Sequence, residues 1–415
     1  MPAPPQSSTP RPTAGAGAPP LPASGEAAGI YLHVPFCSAV CPYCDFAVTV
    51  GGATAHERYR RALLREIDVV ADAGGQAWGA LADSVYFGGG TPSALAPEVV
   101  EEVLAALAGP LGVRRGGPAG ARFFLEANPE DVDDASAAAW RRAGIATVSL
   151  GIQSFDAAAL AFLGRRHDAQ RGRQAVEAAR RAGFDTVSID LIYGWPGQTA
   201  ERWRRDLAAA VALAPDHLSC YQLTVEPGTP FGHRRRRGDL VELPDDEQAR
   251  LFRLTHELLA DAGYPAYEVS SFARGEEHHS RHNSKYWRHA PYLGLGPSAH
   301  SFDGGRRRWW NERRLAPWRA AVDAGRLPRA GEEELADEQL ALERLMLALR
   351  TPDGLDLAAF RQRYGIDLVA ANADLLERLE RQGLARLDGG RLRPTRAGLT
   401  IADGLAQDFA LPLAG

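Results

Sequence analysis

The chain has 415 residues, 45% hydrophobic and 24% charged, enough for one large core and a smaller second one, which excludes a chain disordered throughout. Its formal net charge of −5 lacks the basic excess of a typical nucleic-acid binder. Four cysteines are too few for a disulfide scaffold of this length and no apolar run approaches a bilayer's thickness, so a cytoplasmic protein is expected.

Residues 1–28, rich in Pro, Ala, Ser and Gly, read as a disordered tail without a secretory signal. From Gly29 onward short β-branched runs alternate with longer Ala/Leu/Arg runs of helical period, the pattern of βαβ units. Strands are expected at 30–34, 84–87, 122–126, 147–152, 186–192 and 217–223, and helices near 56–73, 97–107, 135–143, 169–182 and 200–213. Crossovers of this kind are right-handed and cover one face, so the α/β class is expected, as an incomplete (β/α)6 TIM-like barrel over 29–265. Residues 266–330 break the alternation, with loops expected around 278–288 and 294–308. From 331 to 415, helices and an amphipathic hairpin at 383–392 predict a winged-helix-like, α-rich C-terminal domain.

Cys37, Cys41 and Cys44 form a C-x3-C-x2-C loop just past the first expected strand. A loop of this length presents three thiolates to a 4Fe-4S cube and leaves its fourth iron open. The amino and carboxylate groups of S-adenosylmethionine (SAM) can chelate that iron, and an electron from the cluster can then cleave a carbon–sulfur bond to give a 5′-deoxyadenosyl radical. The competing reading is a zinc site, which wants four protein ligands, and no second Cys or His pair stands at zinc spacing. Cys220, in an apolar run, reads as a small buried hydrophobe.

Barrel sites are assembled from the C-terminal ends of several strands. Here those places carry Gly88-Gly89-Gly90-Thr91-Pro92, Glu126-Ala127-Asn128-Pro129, Gln153-Ser154-Phe155 and Asp190. Singly, each reads as a turn or a helix cap. In register with the cysteine loop they point to a cofactor pocket.

These motifs, YLHVPFC at 31–37, GGGTP at 88–92, EANP at 126–129, GIQSF at 151–155, LGRRH at 163–167 and DLIYGWPG at 190–197, resemble in order those of the radical SAM superfamily. Within it they resemble the oxygen-independent coproporphyrinogen III oxidases and their HemW-type relatives. The resemblance covers about residues 29–410 and implies Tyr31 beside the cluster. It also implies Gly89, Gly90 and Thr91 toward the methionine end of SAM, and Glu126, Gln153, Arg165 and Asp190 around its sulfonium and ribose. Arg165 also reads as a solvated helix arginine.

In the oxidases a further cysteine stands two positions after the third ligand, whereas here Cys44 is followed by Asp45 and Phe46, as in the HemW-type group. That group is regarded as binding heme and passing it to acceptor proteins, so heme, an unidentified heme-acceptor protein and an electron donor are the implied partners. The alternative is SAM-radical decarboxylation of coproporphyrinogen. The stretch 281–287, RHNSKYW, matches the H-N-x-x-Y-W pattern of the HemW-type proteins. An imidazole beside two aromatic rings suits a heme, so His282 is the candidate axial ligand; a hydrogen-bonded turn with Tyr286 and Trp287 in the core is the competing reading.

The four arginines 234–237 suit a propionate or a peripheral membrane surface, against the simpler reading of a solvated loop. His278 and His279 read as an exposed acidic-loop pair and Glu268 as structural. The C-terminal domain is expected to cover the barrel opening or to dock a protein; a net-acidic chain argues against DNA contacts.

Overall fold

The computed structural model describes residues 19–412 apart from Ser24 and 117–119. Six parallel strands cross the main sheet in chain order: β1 (Ala28–Val34), β2 (Ala82–Gly89), β3 (Arg122–Ala127), β4 (Thr147–Gln153), β5 (Thr186–Tyr193) and β6 (His217–Gln222). Ile30, Leu32 and Val34 point to one side of β1, where the helix Ala53–Val70 packs Tyr59, Leu63, Ile67 and Val70 at three- and four-residue spacing. The helices begin where the sequence offers acceptors for their free N–H groups. Asp133, Asp168 and Thr199 each accept from the third residue of the helix that follows, and Gly144 and Gly183 end two helices in the left-handed conformation.

The expected barrel is therefore present, with an addition. β7 (Ser271–Ala273) pairs antiparallel with β6, and β8 (Tyr292–Leu295) pairs parallel with β1 on its other side. β9 (His300–Phe302), β10 (Arg307–Asn311) and β11 (Arg329–Glu334) extend that edge as antiparallel strands, giving eleven strands in one sheet. The segment 278–288, expected to be a loop, is largely the helix Arg281–Arg288, capped by the Ser280 hydroxyl, which accepts from the Asn283 N–H. The region 294–308, also expected as loop, holds β9 and the start of β10. These elements carry few β-branched residues, and the helix has no apolar stripe.

The C-terminal part packs helices Asp337–Ala348, Leu357–Tyr364 and Ala373–Arg381 around Leu345, Leu355, Phe360, Leu376 and Leu392. The expected hairpin is there, Ala385–Asp388 paired with Arg391–Pro394, and its two-residue turn uses Gly389 and Gly390 at φ 56° and 75°. This unit docks where the barrel strands begin: Arg344 donates to the Trp287 carbonyl at 3.1 Å, and Glu343 pairs with Arg308 at 2.5 Å and His289 at 3.2 Å. It therefore does not cover the cysteine end of the barrel.

Residues 1–18 of the expected tail lie outside the described residues, but from Pro19 onward the chain is packed. Trp78 Nε1 donates to the Pro20 carbonyl at 2.9 Å and the Ala23 N–H to the Asp303 carbonyl at 2.7 Å. Among the described residues no helix is long and apolar enough to cross a membrane. The arginine run is a short helix, Pro230–Arg236, in which Arg235 pairs with Glu242 and the nearby Arg237 with Asp239. Arg234 lies over Phe231 and Phe162. Two of the four arginines are thus paired with carboxylates. His278 and His279, expected to be exposed, are half-buried, with His278 bonding the Thr186 hydroxyl at 2.9 Å, and Glu268 is buried and accepts the Ser270 N–H at 3.0 Å.

Candidate functional site

The cysteine loop leaves the C-terminal end of β1, where Phe36–Cys37 pairs with Thr49–Val50. Cys37, Cys41 and Cys44 are free and half-buried. Burial, with neighbouring cysteines adding to it, pushes Cys37 up and Cys44 to about 11. Thiols so placed ionise readily only against a positive partner.

The ends of β2 to β5 meet this loop. Gly89 sits at φ 111° and donates to Glu126 at 3.2 Å; a side chain there would reach within 2.6 Å of the His33 ring. Thr91 donates to Cys37 Sγ at 3.5 Å and accepts from Asn128 Nδ2 at 3.1 Å. Asn128 Oδ1 accepts from Arg165 at 2.7 Å, and Arg165 Nη1 reaches Cys41 Sγ at 3.6 Å. Two cysteines are thus joined through Thr91, Asn128 and Arg165. Arg165 is not a solvated arginine, and its Nε is buried with no protein partner.

Deeper in the barrel, the Tyr86 hydroxyl donates to Glu126 at 2.7 Å, and Ser149 donates to both oxygens of Asp190 at 3.0 Å. Burial raises both carboxyls, Glu126 to about 7, helped by the charge of Asp190, and Asp190 itself to about 6. Gln153 ends β4 at φ 66°, a left-handed conformation uncommon outside glycine and frequent at functional strand ends. Tyr31 lies on the same inner face, its hydroxyl 3.2 Å from His33 Nδ1, while His33 Nε2 bonds the Ala47 carbonyl at 3.0 Å. A carbonyl only accepts, so the Nε2 proton is donated to it and Tyr31 donates to Nδ1.

Thus Tyr31, Gly89, Gly90, Thr91, Glu126, Gln153, Arg165 and Asp190 share the cysteine end and lumen of the barrel. Asn128, Tyr86, Ser149 and His33 join them without having been singled out; Asn128 was visible only as part of the EANP motif.

His282 is elsewhere. It is fully buried near the strand starts, Nδ1 3.2 Å from Ser84 Oγ and Nε2 3.0 Å from the Tyr286 hydroxyl, and its ring stacks on Tyr86 at 5.1 Å. Burial drops its pKa to about 3. The expectation of an iron ligand here meets a ring with both nitrogens already bonded inside the protein. The same helix carries Lys285, the only lysine of the chain, buried in a 2.6 Å pair with Asp83 and donating to the Ala27 carbonyl at 2.9 Å.

Residues 31–210 match the model of the radical SAM superfamily and 335–401 that of the HemN C-terminal domain. The chain is 36% identical over 390 residues to the heme chaperone HemW of Mycobacterium tuberculosis, covering 93% of this chain and 95% of the relative. This chain belongs to the HemW family of the radical SAM superfamily. It is also 34% identical to the mitochondrial radical S-adenosyl methionine domain-containing protein 1 of Bos taurus, over 95% of this chain and 90% of that one. The solved Escherichia coli coproporphyrinogen III oxidase HemN shares the fold, with a TM-score of 0.75 and 22% identity over 92% of this chain and 90% of that one.

Membership in the radical SAM superfamily implies a 4Fe-4S cluster and SAM. The residues fit both: three free cysteines on one loop supply soft thiolate ligands, and beside them lie a glycine cradle, two raised carboxyls and an arginine with an unpartnered nitrogen.

Proposed function

We propose that this chain is a cytoplasmic heme carrier that holds a SAM-bound 4Fe-4S cluster, takes up heme and passes it to an acceptor protein. The observation that carries the reading is the match at 36% identity over nearly the whole chain to a protein named a heme chaperone. Phe46, standing where the oxidases place a cysteine, supports it.

In this reading Cys37, Cys41 and Cys44 ligate the cluster. When bound, the cluster offers SAM an open iron and an electron supplied by a separate donor protein. Gly89, Gly90 and Thr91 shape the methionine end of the SAM pocket, the two glycines lying too close to the His33 ring and the Val34–Phe36 backbone to carry side chains. Glu126 and Asp190 accept from the ammonium and ribose hydroxyls, Gln153 fixes the ribose end, and Arg165 balances the thiolate charge near Cys41. Tyr31 closes the inner wall beside the cluster. His282 serves as a prop beneath Tyr86 and Tyr31.

The test is a transfer assay. Protein loaded anaerobically with cluster, SAM and hemin should hand heme to an apo-hemoprotein, seen as growth of the acceptor's Soret band, and should leave coproporphyrinogen unchanged in the presence of a reductant. Decarboxylated product without heme transfer would replace this reading by the oxidase.

A further inference from the structure

The sheet extension β8 to β11 continues the inner face of the barrel past β1, and it carries a histidine that nothing above employs. Leu293, Leu295 and Trp309 face the helices and belong to the main core. Strand alternation then turns Gly294, His300 and Trp310 to the other face, in one row with Tyr31 and Tyr86. Tyr86 pairs with Tyr31, Tyr31 with Gly294, His300 with Trp310 and Trp310 with Gly331. The Tyr292–Phe302 pair sets Gly294 opposite His300. The row therefore reads Tyr86, Tyr31, Gly294, His300, Trp310 and Gly331.

His300 is exposed and stacks on Trp310 at 5.8 Å and 27°. Trp310 in turn lies flat over β11, since a side chain at Gly331 would stand 2.6 Å from its ring. Among the described residues neither nitrogen of His300 has a hydrogen-bond partner, whereas the other exposed histidine, His233, is held by Arg236. An imidazole with an ordinary pKa of about 6.5 is mostly neutral at physiological pH, the form that ligates metal, and the nearby Arg308 and His33 favour that form.

The hairpin behind it is rigid. Buried Glu66 accepts from the Gly296 N–H at 2.7 Å, from Asn311 at 2.7 Å and from Trp318 at 3.1 Å, tying both flanks of the turn to the helix Ala53–Val70. A ligand presented from such a scaffold keeps its aim.

We infer that His300, seated on Trp310, is the protein ligand to the iron of the carried heme. The inference rests on the heme-carrier reading and replaces His282, whose nitrogens are used internally, by a histidine open to the barrel mouth. Heme bound there lies on the same face of the sheet as Tyr31.

Hemin titration of the cluster-loaded protein tests this, with the Soret position and the ferric electron paramagnetic resonance (EPR) signal as readouts. Wild type and His282→Ala should show a histidine-ligated spectrum. His300→Ala should lose it and bind about tenfold or more weaker, since even partners one shell beyond a metal cost about 10–100-fold. Free imidazole should restore the spectrum of His300→Ala, and Trp310→Ala should weaken uptake while keeping the ligand signature. An unchanged spectrum and affinity in His300→Ala would overturn the inference and leave the carrier reading standing. Wild type that takes up no hemin would overturn both. Because His300 is exposed, SAM-responsive cluster signals in the variant serve as the check that it is folded.

Discussion

Asn128 illustrates what single residues do at this site. Its amide oxygen holds Arg165 at 2.7 Å and its NH2 group donates to Thr91 at 3.1 Å, so one side chain couples the surroundings of Cys37 and Cys41. Asn128→Ala frees a half-buried guanidinium from an acceptor, a loss of about 1.5–3 kcal/mol. SAM affinity, read from the cluster's EPR response, should fall by about tenfold or more while iron content stays near wild type.

The two raised carboxyls predict opposite pH trends for stability and for SAM affinity. Glu126 near 7 and Asp190 near 6 hold protons more tightly in the folded chain than in the unfolded one. Their contribution to the stability of the cofactor-free protein is therefore full below about pH 4 and lost as pH rises through about 6 to 7. In the proposed reading SAM binding uses the carboxylates, so its affinity should rise with pH across the same window, by up to about tenfold per unit for each group. Affinities measured at pH 6 and pH 8 check this, and Glu126→Gln should flatten the slope.

At the scale of elements, the helix Arg281–Arg288 is a lock on the barrel's starting end. Lys285 is buried against Asp83 and the Ala27 carbonyl, and His282 lies beneath Tyr86. Lys285→Ala leaves Asp83 without its partner; because Asp83 is partly open to water, the cost should be about 1–3 kcal/mol rather than the full penalty of a buried charge. Thermal unfolding should show it as a drop of several degrees, with the cysteine loop still able to take up iron.

This helix also shows where sequence reasoning stops. Strands β1 to β6 are legible because β-branched runs end in glycine or polar residues and alternate with helices capped by Asp, Thr and Gly. The cysteines and GGGTP are legible because their chemistry is local. RHNSKYWR reads as a loop because its apolar partners, Tyr31, Tyr86 and Gly29, come from strands far away in sequence. The bridge through Asn128 and the row from Tyr86 to Trp310 likewise exist only once the sheet has assembled. His282 looks like a ligand in sequence, whereas in the fold it is buried with both ring nitrogens hydrogen-bonded, for the same reason.

At the scale of the whole molecule, the two ends of the barrel are separated in task. The cysteines, the carboxyls and His300 lie toward the strand ends, and the C-terminal unit docks where the strands begin, through Leu340 with Phe302 and Leu335 and through the Arg308–Glu343 pair. Leu340→Asp places a charge in that contact and should loosen the unit, seen as faster proteolysis near 335. The SAM response of the cluster should survive it. Loss of the SAM response with cluster content intact would mean that the C-terminal unit shapes the pocket after all.

The account depends above all on three thiolates holding an iron cube with one corner open to SAM. The direct measurement is EPR of the anaerobically reconstituted and reduced protein, with and without SAM, alongside Cys37→Ala, Cys41→Ala and Cys44→Ala. One 4Fe-4S signal per chain whose g values shift when SAM is added, and which each substitution abolishes, is the predicted result. Bound zinc in place of iron, or a cluster signal that ignores SAM, would contradict it.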